Sequence, residues 1–158
     1  MIIAKALAVS LMLAINGFVA PLCWCQNSNR EPPLHQGIII SQEVQKQIAQ
    51  RYEEKAKAFA IFIQSIKEAI QQNKREIIVV SIRYPINVDI KGRQKQIRSP
   101  KQMLHLFPII FTGVYKNQVL ADISDLHVLS QGVMLGRGSM WVNLDQKNVN
   151  WKIITINN

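Results

Sequence analysis

From Ser41 to Asn73 apolar residues return every three or four positions: Val44, Ile48, Tyr52, Phe59, Ile63, Ile66 and Ile70. That spacing lines one side of a helix. Lys46, Glu53, Glu54, Lys57, Lys67 and Glu68 fall between them and form the solvated side, while Phe62 widens the apolar stripe. Ser41 offers a capping hydroxyl and Glu43 suits the positive end of the helix dipole. A coiled coil could also use such a stripe, but the repeat is short and imperfect, which favours a burying surface from the rest of the chain. The reading is a long helix laid on a sheet.

The segments that follow supply such a sheet. Lys74–Ile82 is ambiguous: Ile77 to Val80 favour a strand by propensity, yet Ile78, Ile82 and the flanking charges also fit a short helix. Ile86–Ile90 alternates, Lys91-Gly92 turns and Arg93–Arg98 returns, which predicts a hairpin. Ser99-Pro100 starts a short helix over Lys101–Phe107 that Pro108 should stop. Thr112 caps another through Ala121. Leu126–Gln131 reads as a strand, Val133–Leu144 as a second with bends or bulges expected at Gly132, Gly136 and Gly138, and Trp151–Asn157 as the last. Helices first and antiparallel strands last is an α+β order.

The first residues differ from all of this. Lys5, an apolar run from Ala6 to Ile15 and a break at Asn16-Gly17 form the pattern of a secretory signal peptide, here 1–25 with cleavage after Cys25. Residues 26–40, with Pro32-Pro33, are expected as a flexible leader, and 41–158 as the folded domain. The only two cysteines, Cys23 and Cys25, lie in the first segment, which excludes a disulfide framework and a four-cysteine zinc site. Export without disulfides points to a bacterial periplasm or to secretion. Contact with a membrane is expected only through the signal segment.

The order of elements, with Tyr84-Pro85-Ile86-Asn87-Val88, the stretch from Ile97 to Phe111 and the glycine-punctuated run from Gln131 to Asn143, resembles the nuclear transport factor 2-like superfamily. The resemblance covers about residues 41–158, and the members it suggests are small exported bacterial proteins. It implies a cone: a long N-terminal helix packed in a curved antiparallel sheet, with short helices between. It also implies that Lys74–Ile82 is a helix. Such cones host isomerases, hydratases and plain binding modules, and they often pair through their sheets, so a homodimer is an expectation of the resemblance alone.

For chemistry, the best pair is Asp125 and His127, two apart on a strand and so on one side of it, where a carboxylate orients an imidazole. Placed inside a cone pocket they would serve a small hydrolase or isomerase. His35, His105 and His127 stand in no metal-ligand spacing, and neither a cofactor motif nor a metal site is expected. His105 lies among apolar neighbours; with Tyr84, Phe107, Phe111 and Trp141 it is a candidate for ligand contact at a cone mouth. Lys91, Arg93, Lys95, Arg98 and Lys101 concentrate positive charge on the hairpin and the helix start, in a chain whose net charge is +9. They suit an acidic envelope protein, or they discourage strand addition at a sheet edge. Without interleaved aromatics, nucleic acid is disfavoured. The expected function is an exported, non-enzymatic module that binds a protein partner or a small apolar ligand.

Overall fold

Ser41 Oγ accepts from the Val44 N–H at 3.3 Å and starts α1, Gln42–Tyr52. The computed structural model describes residues 40–147 and 149–158. The expected signal peptide, both cysteines, His35 and all of the leader except Ile40 lie outside the described residues.

The long rod is not one helix. At Glu53 the backbone turns to φ 46°, a three-residue 3-10 turn follows at Glu53–Lys55, and α2 resumes over Ala56–Gln71. The sheet holds this break in place. Trp151 Nε1 donates to the Lys55 carbonyl at 3.0 Å, and Tyr52 Oη donates to Asn143 Oδ1 at 3.2 Å. The Tyr52 and Phe59 rings meet Trp151 edge-on, 4.7 and 4.8 Å between centroids. Asn73, at φ 52°, closes α2 in the left-handed conformation that asparagine tolerates.

The ambiguous segment is a helix, α3, Arg75–Val80. Burial explains the outcome: Ile78 and Val79 are buried while Ile77 and Val80 are exposed, a spacing that a strand's alternation cannot produce. β1 (Ile86–Ile90) and β2 (Arg93–Ile97) form the hairpin, with Lys91 at φ 55° and Gly92 at φ 76°. Two successive positive φ values suit the right-handed twist of a two-residue hairpin, and Asp89 Oδ1 accepts from the Gly92 N–H at 2.7 Å.

α4 (Pro100–Ile110) is capped by Ser99, as expected, but does not stop before Pro108. The proline falls in the last turn, where its missing N–H leaves the Leu104 carbonyl without its helical partner. Burial of Ile110 and Phe111 carries that turn onto the core. α5 (Gly113–Asp122) is capped by Thr112 Oγ1, which accepts from the Tyr115 N–H at 3.2 Å.

The expected strand across Val133–Leu144 is two strands. β3 is Leu126–Leu129, β4 Gly132–Leu135, β5 Met140–Asp145 and β6 Asn150–Ile156. Gly136 at φ 52° and Gly138 at φ 101° turn the chain between β4 and β5. The six strands form one curved, mixed sheet in the order β2-β1-β6-β5-β4-β3. Every pairing is antiparallel except β1 with β6, which run parallel. That junction starts before β1, where the Arg83 N–H donates to the Ile153 carbonyl at 2.9 Å.

The chain is therefore an α+β protein whose N-terminal helical rod packs on a curved sheet. Phe59, Ile63, Ile66 and Ile70 from α2 meet Val133, Leu135, Met140, Val142, Ile153 and Ile156 from the sheet in one apolar core. At about 25 cal/mol per Å² of apolar surface removed from water, burial of this kind is the main stabilising term.

α5 is tied to the sheet by Tyr115, whose Oη donates to the Ser139 carbonyl at 2.7 Å. Burial, reinforced by the negative charge of Asp122, pushes the phenol well above the ordinary tyrosine range. The unfolded chain then gives up this proton first. Stability from this group is intact below about pH 10 and declines as pH rises beyond it. Tyr115→Phe is expected to lose about 1 kcal/mol at pH 8 and to flatten the alkaline decline. Urea midpoints measured between pH 8 and 11 check this; an unchanged slope would sink the assignment.

Candidate functional site

Asp125 and His127 do meet. Asp125 Oδ1 lies 3.1 Å from His127 Nε2. Strand alternation places them away from the core: Leu126 is buried, while Asp125 and His127 are exposed. Neither residue lines either of the two concavities described below. An acid–base reaction needs its groups within hydrogen-bond reach of a held substrate, and both residues stand exposed outside these concavities.

The five basic residues are all exposed, and the pleat of β2 divides three of them between its faces. Lys95 opposes Val88 and Arg93 opposes Ile90, so both share the sheet face that carries the core. Gln96 opposes Asn87 on the other face, and Arg98 Nε donates to Gln96 Oε1 at 2.9 Å. β2 is the outermost strand on its side. Cations on the inner face of an edge strand oppose addition of a further strand, because a neighbour would have to desolvate them.

The aromatic candidates also separate. Phe107 and Phe111 are buried and stacked at 4.4 Å between centroids, with Tyr115 edge-on to Phe111 at 5.6 Å. These rings pack the core. Tyr84 is half-buried, and its Oη donates to the Val79 carbonyl at 3.0 Å. His105 is exposed on α4. Trp141 opposes Met134 on the sheet face away from the core and is half-buried there.

Two concavities stand out. The first, about 490 Å³, runs along α1 and α2 past Ile40, Ile48 and Phe59, with Lys46 and Lys57 at its rim. The second, about 370 Å³, is open to solvent between α2, the end of α3 and the start of β6. Ile61, Phe62, Val80, Val149, Trp151 and Lys152 line it. Ile61 is 72% exposed, Val80 59% and Val149 50%. Lys152 Nζ donates to the Val80 carbonyl at 2.6 Å, which holds a cation at the rim, and among the described residues no acidic one lines the concavity.

The sequence reading did not single out Ile61, Val80 or Val149 as contact residues. One signal pointed to them: Phe59-Ala60-Ile61-Phe62-Ile63 is apolar without interruption, so a helix cannot turn all five toward one core. Phe59 and Ile63 are buried, and Ile61 is left outside.

Among the described residues, no three or more His, Cys, Asp or Glu side chains cluster as a metal site, and no helix is long and apolar enough to cross a membrane. In comparisons with models of protein families, with curated proteins and with solved structures, nothing matches this chain.

Proposed function

We propose that this protein is an exported, non-enzymatic binding module that grips a protein partner at the concavity between α2, α3 and β6. The observation that carries the reading is the trio Ile61, Val80 and Val149, three large apolar side chains left in water around one hollow. Single exposed apolar residues are ordinary, but a contiguous group around a depression marks contact surface. The hollow suits an inserted apolar side chain, and such anchors carry most of the energy of protein interfaces.

Charge selects the partner. Lys152 stands at the rim, no acidic residue lines the hollow among the described residues, and the net charge is +9. An acidic protein whose apolar anchor is flanked by Asp or Glu fits both features, with the long-range field raising the encounter rate. The signal-like pattern of the first segment supports a meeting outside the cytoplasm. The helical rod on a curved sheet supports the likeness to the nuclear transport factor 2-like cone, and in this reading the cone serves as scaffold. The exposed position of Asp125 and His127 weighs against the hydrolase or isomerase alternative.

A photo-crosslinking residue at position 61, in cells making the full chain, is expected to yield one discrete adduct. Val80→Asp should reduce that adduct by about tenfold or more, the size of one lost interface hot spot. The same probe at Val114, which is 80% exposed but does not line the hollow, should yield none. Equal adducts at both positions, or none at position 61, would remove the reading.

A further inference from the structure

The sheet carries a second group of residues that core packing does not account for. His127 opposes Met134 across β3 and β4, and Met134 opposes Trp141 across β4 and β5. Directly opposed residues of antiparallel strands share a face, with Cβ atoms about 5 Å apart. Imidazole, thioether and indole therefore stand in one row on the side away from the core. The outer face of a one-sided sheet is normally polar. Met134 and Trp141 are only half-buried there, and neither joins the core cluster.

Two further details give the row chemical meaning. The position a Cβ would take at Gly138 lies 3.5 Å from both Met134 Sδ and Trp141 Nε1. The thioether and the indole thus flank a single point beside the turn. On the other side, Asp125 Oδ1 lies 3.1 Å from His127 Nε2. A carboxylate in that position keeps the proton on Nε2 and leaves the Nδ1 lone pair available. Carboxylates orient metal-ligating imidazoles in this way.

We propose that His127 Nδ1 and Met134 Sδ form a site for a soft monovalent metal ion, Cu(I) or its redox-inert analogue Ag(I). Asp125 is the positioning residue and the Trp141 ring is the wall. A thioether with an imidazole selects soft ions, whereas zinc seeks four N, S or O donors and calcium or magnesium an oxygen cage. His127 is exposed, so the ion reaches the site from solvent and exchanges with it. Binding adds one cation and changes no oxidation state.

The test uses the full chain carrying Cys23→Ser and Cys25→Ser, so that no thiol competes for the ion. Ag(I) is titrated in nitrate buffer free of chloride, followed by NMR of the imidazole and methionine methyl signals and by tryptophan emission. One equivalent is expected to shift His127 and Met134 together and to quench emission, and Zn(II) to do neither. Met134→Leu and His127→Gln should each weaken Ag(I) binding by at least about tenfold, and Asp125→Asn by about tenfold. His105→Gln, an exposed histidine on α4, should change nothing. Amide spectra confirm that each variant folds, which the outward, half-buried positions favour. Affinity unchanged in either Met134→Leu or His127→Gln overturns the site, as does Ag(I) seated on His105 instead.

Discussion

Gly132→Ala is expected to cost about 3 kcal/mol or more of folding stability. Gly132 opens β4 with φ 144°, a backbone conformation that L side chains rarely adopt. Space fails as well. A Cβ there would run into the Val142 carbonyl oxygen and press on Asn143 Cβ at 3.1 Å. Val142 is a buried residue in the middle of β5, paired with Val133 on one side and Ile153 on the other. It cannot retreat without breaking ladder pairing in the core. Two other glycines separate strain from collision. Gly92 has φ 76° and open space around it, so Gly92→Ala should cost only about 1 kcal/mol. At Gly136, φ 52°, a Cβ would strike the Asp122 carboxyl and lie 2.6 Å from Asp122 Cβ, which side-chain rotation does not move, so this loss should also exceed that at Gly92. Urea denaturation of the three variants gives the ranking. Equal losses at all three would mean that φ alone governs and that the contact with Val142 is immaterial.

The same glycines show what a sequence discloses and what it withholds. Gly136 and Gly138 mark bends on sight, but whether a bend kinks one strand or ends it depends on where the chain goes next. Here the turn reverses direction, and one expected strand becomes β4 and β5. The break in the helical rod was hidden for a similar reason. Nothing at Glu53-Glu54-Lys55 opposes helix locally; the 3-10 turn is held by Trp151 and Asn143, about ninety residues away. The caps were legible because they are local. Ser41, Ser99 and Thr112 each accept from the N–H three residues on. For α3, propensity pointed to a strand, and only the burial of Ile78 and Val79 beside exposed Ile77 and Val80 decides for helix.

Sites followed the same division. Asp125 and His127 were found because a period of two is local, and the structure brings them to 3.1 Å. The same alternation sets Leu126 and Val128 toward the core and the pair on the other face; whether anything covers that face is a tertiary matter. The five cations read as one cluster by proximity in the chain, yet the pleat of β2 puts Lys95 and the Gln96 partner of Arg98 on opposite faces. Ile61, Val80 and Val149 come from three separate elements and meet only after folding.

Phe59→Ala should be the other severe loss, about 3–5 kcal/mol. The ring is buried, it meets Trp151 edge-on at 4.8 Å, and it also lines the concavity of about 490 Å³ along α1 and α2. Truncation removes the transfer energy of the ring and joins the space it leaves to an existing hollow, which the rigid helix backbone cannot close. It also takes away one of the two rings that seat Trp151 at the break in the rod. Trp151→Phe offers the comparison. It keeps an aromatic in place but removes the hydrogen bond from Nε1 to the Lys55 carbonyl, for about 1 kcal/mol. If ring packing and that hydrogen bond hold the break together, the double variant should lose measurably less than the sum of the single losses, because each acts on the same joint. Strict additivity in urea denaturation would show that Phe59 merely fills volume and that the rod breaks at Glu53 for some other reason.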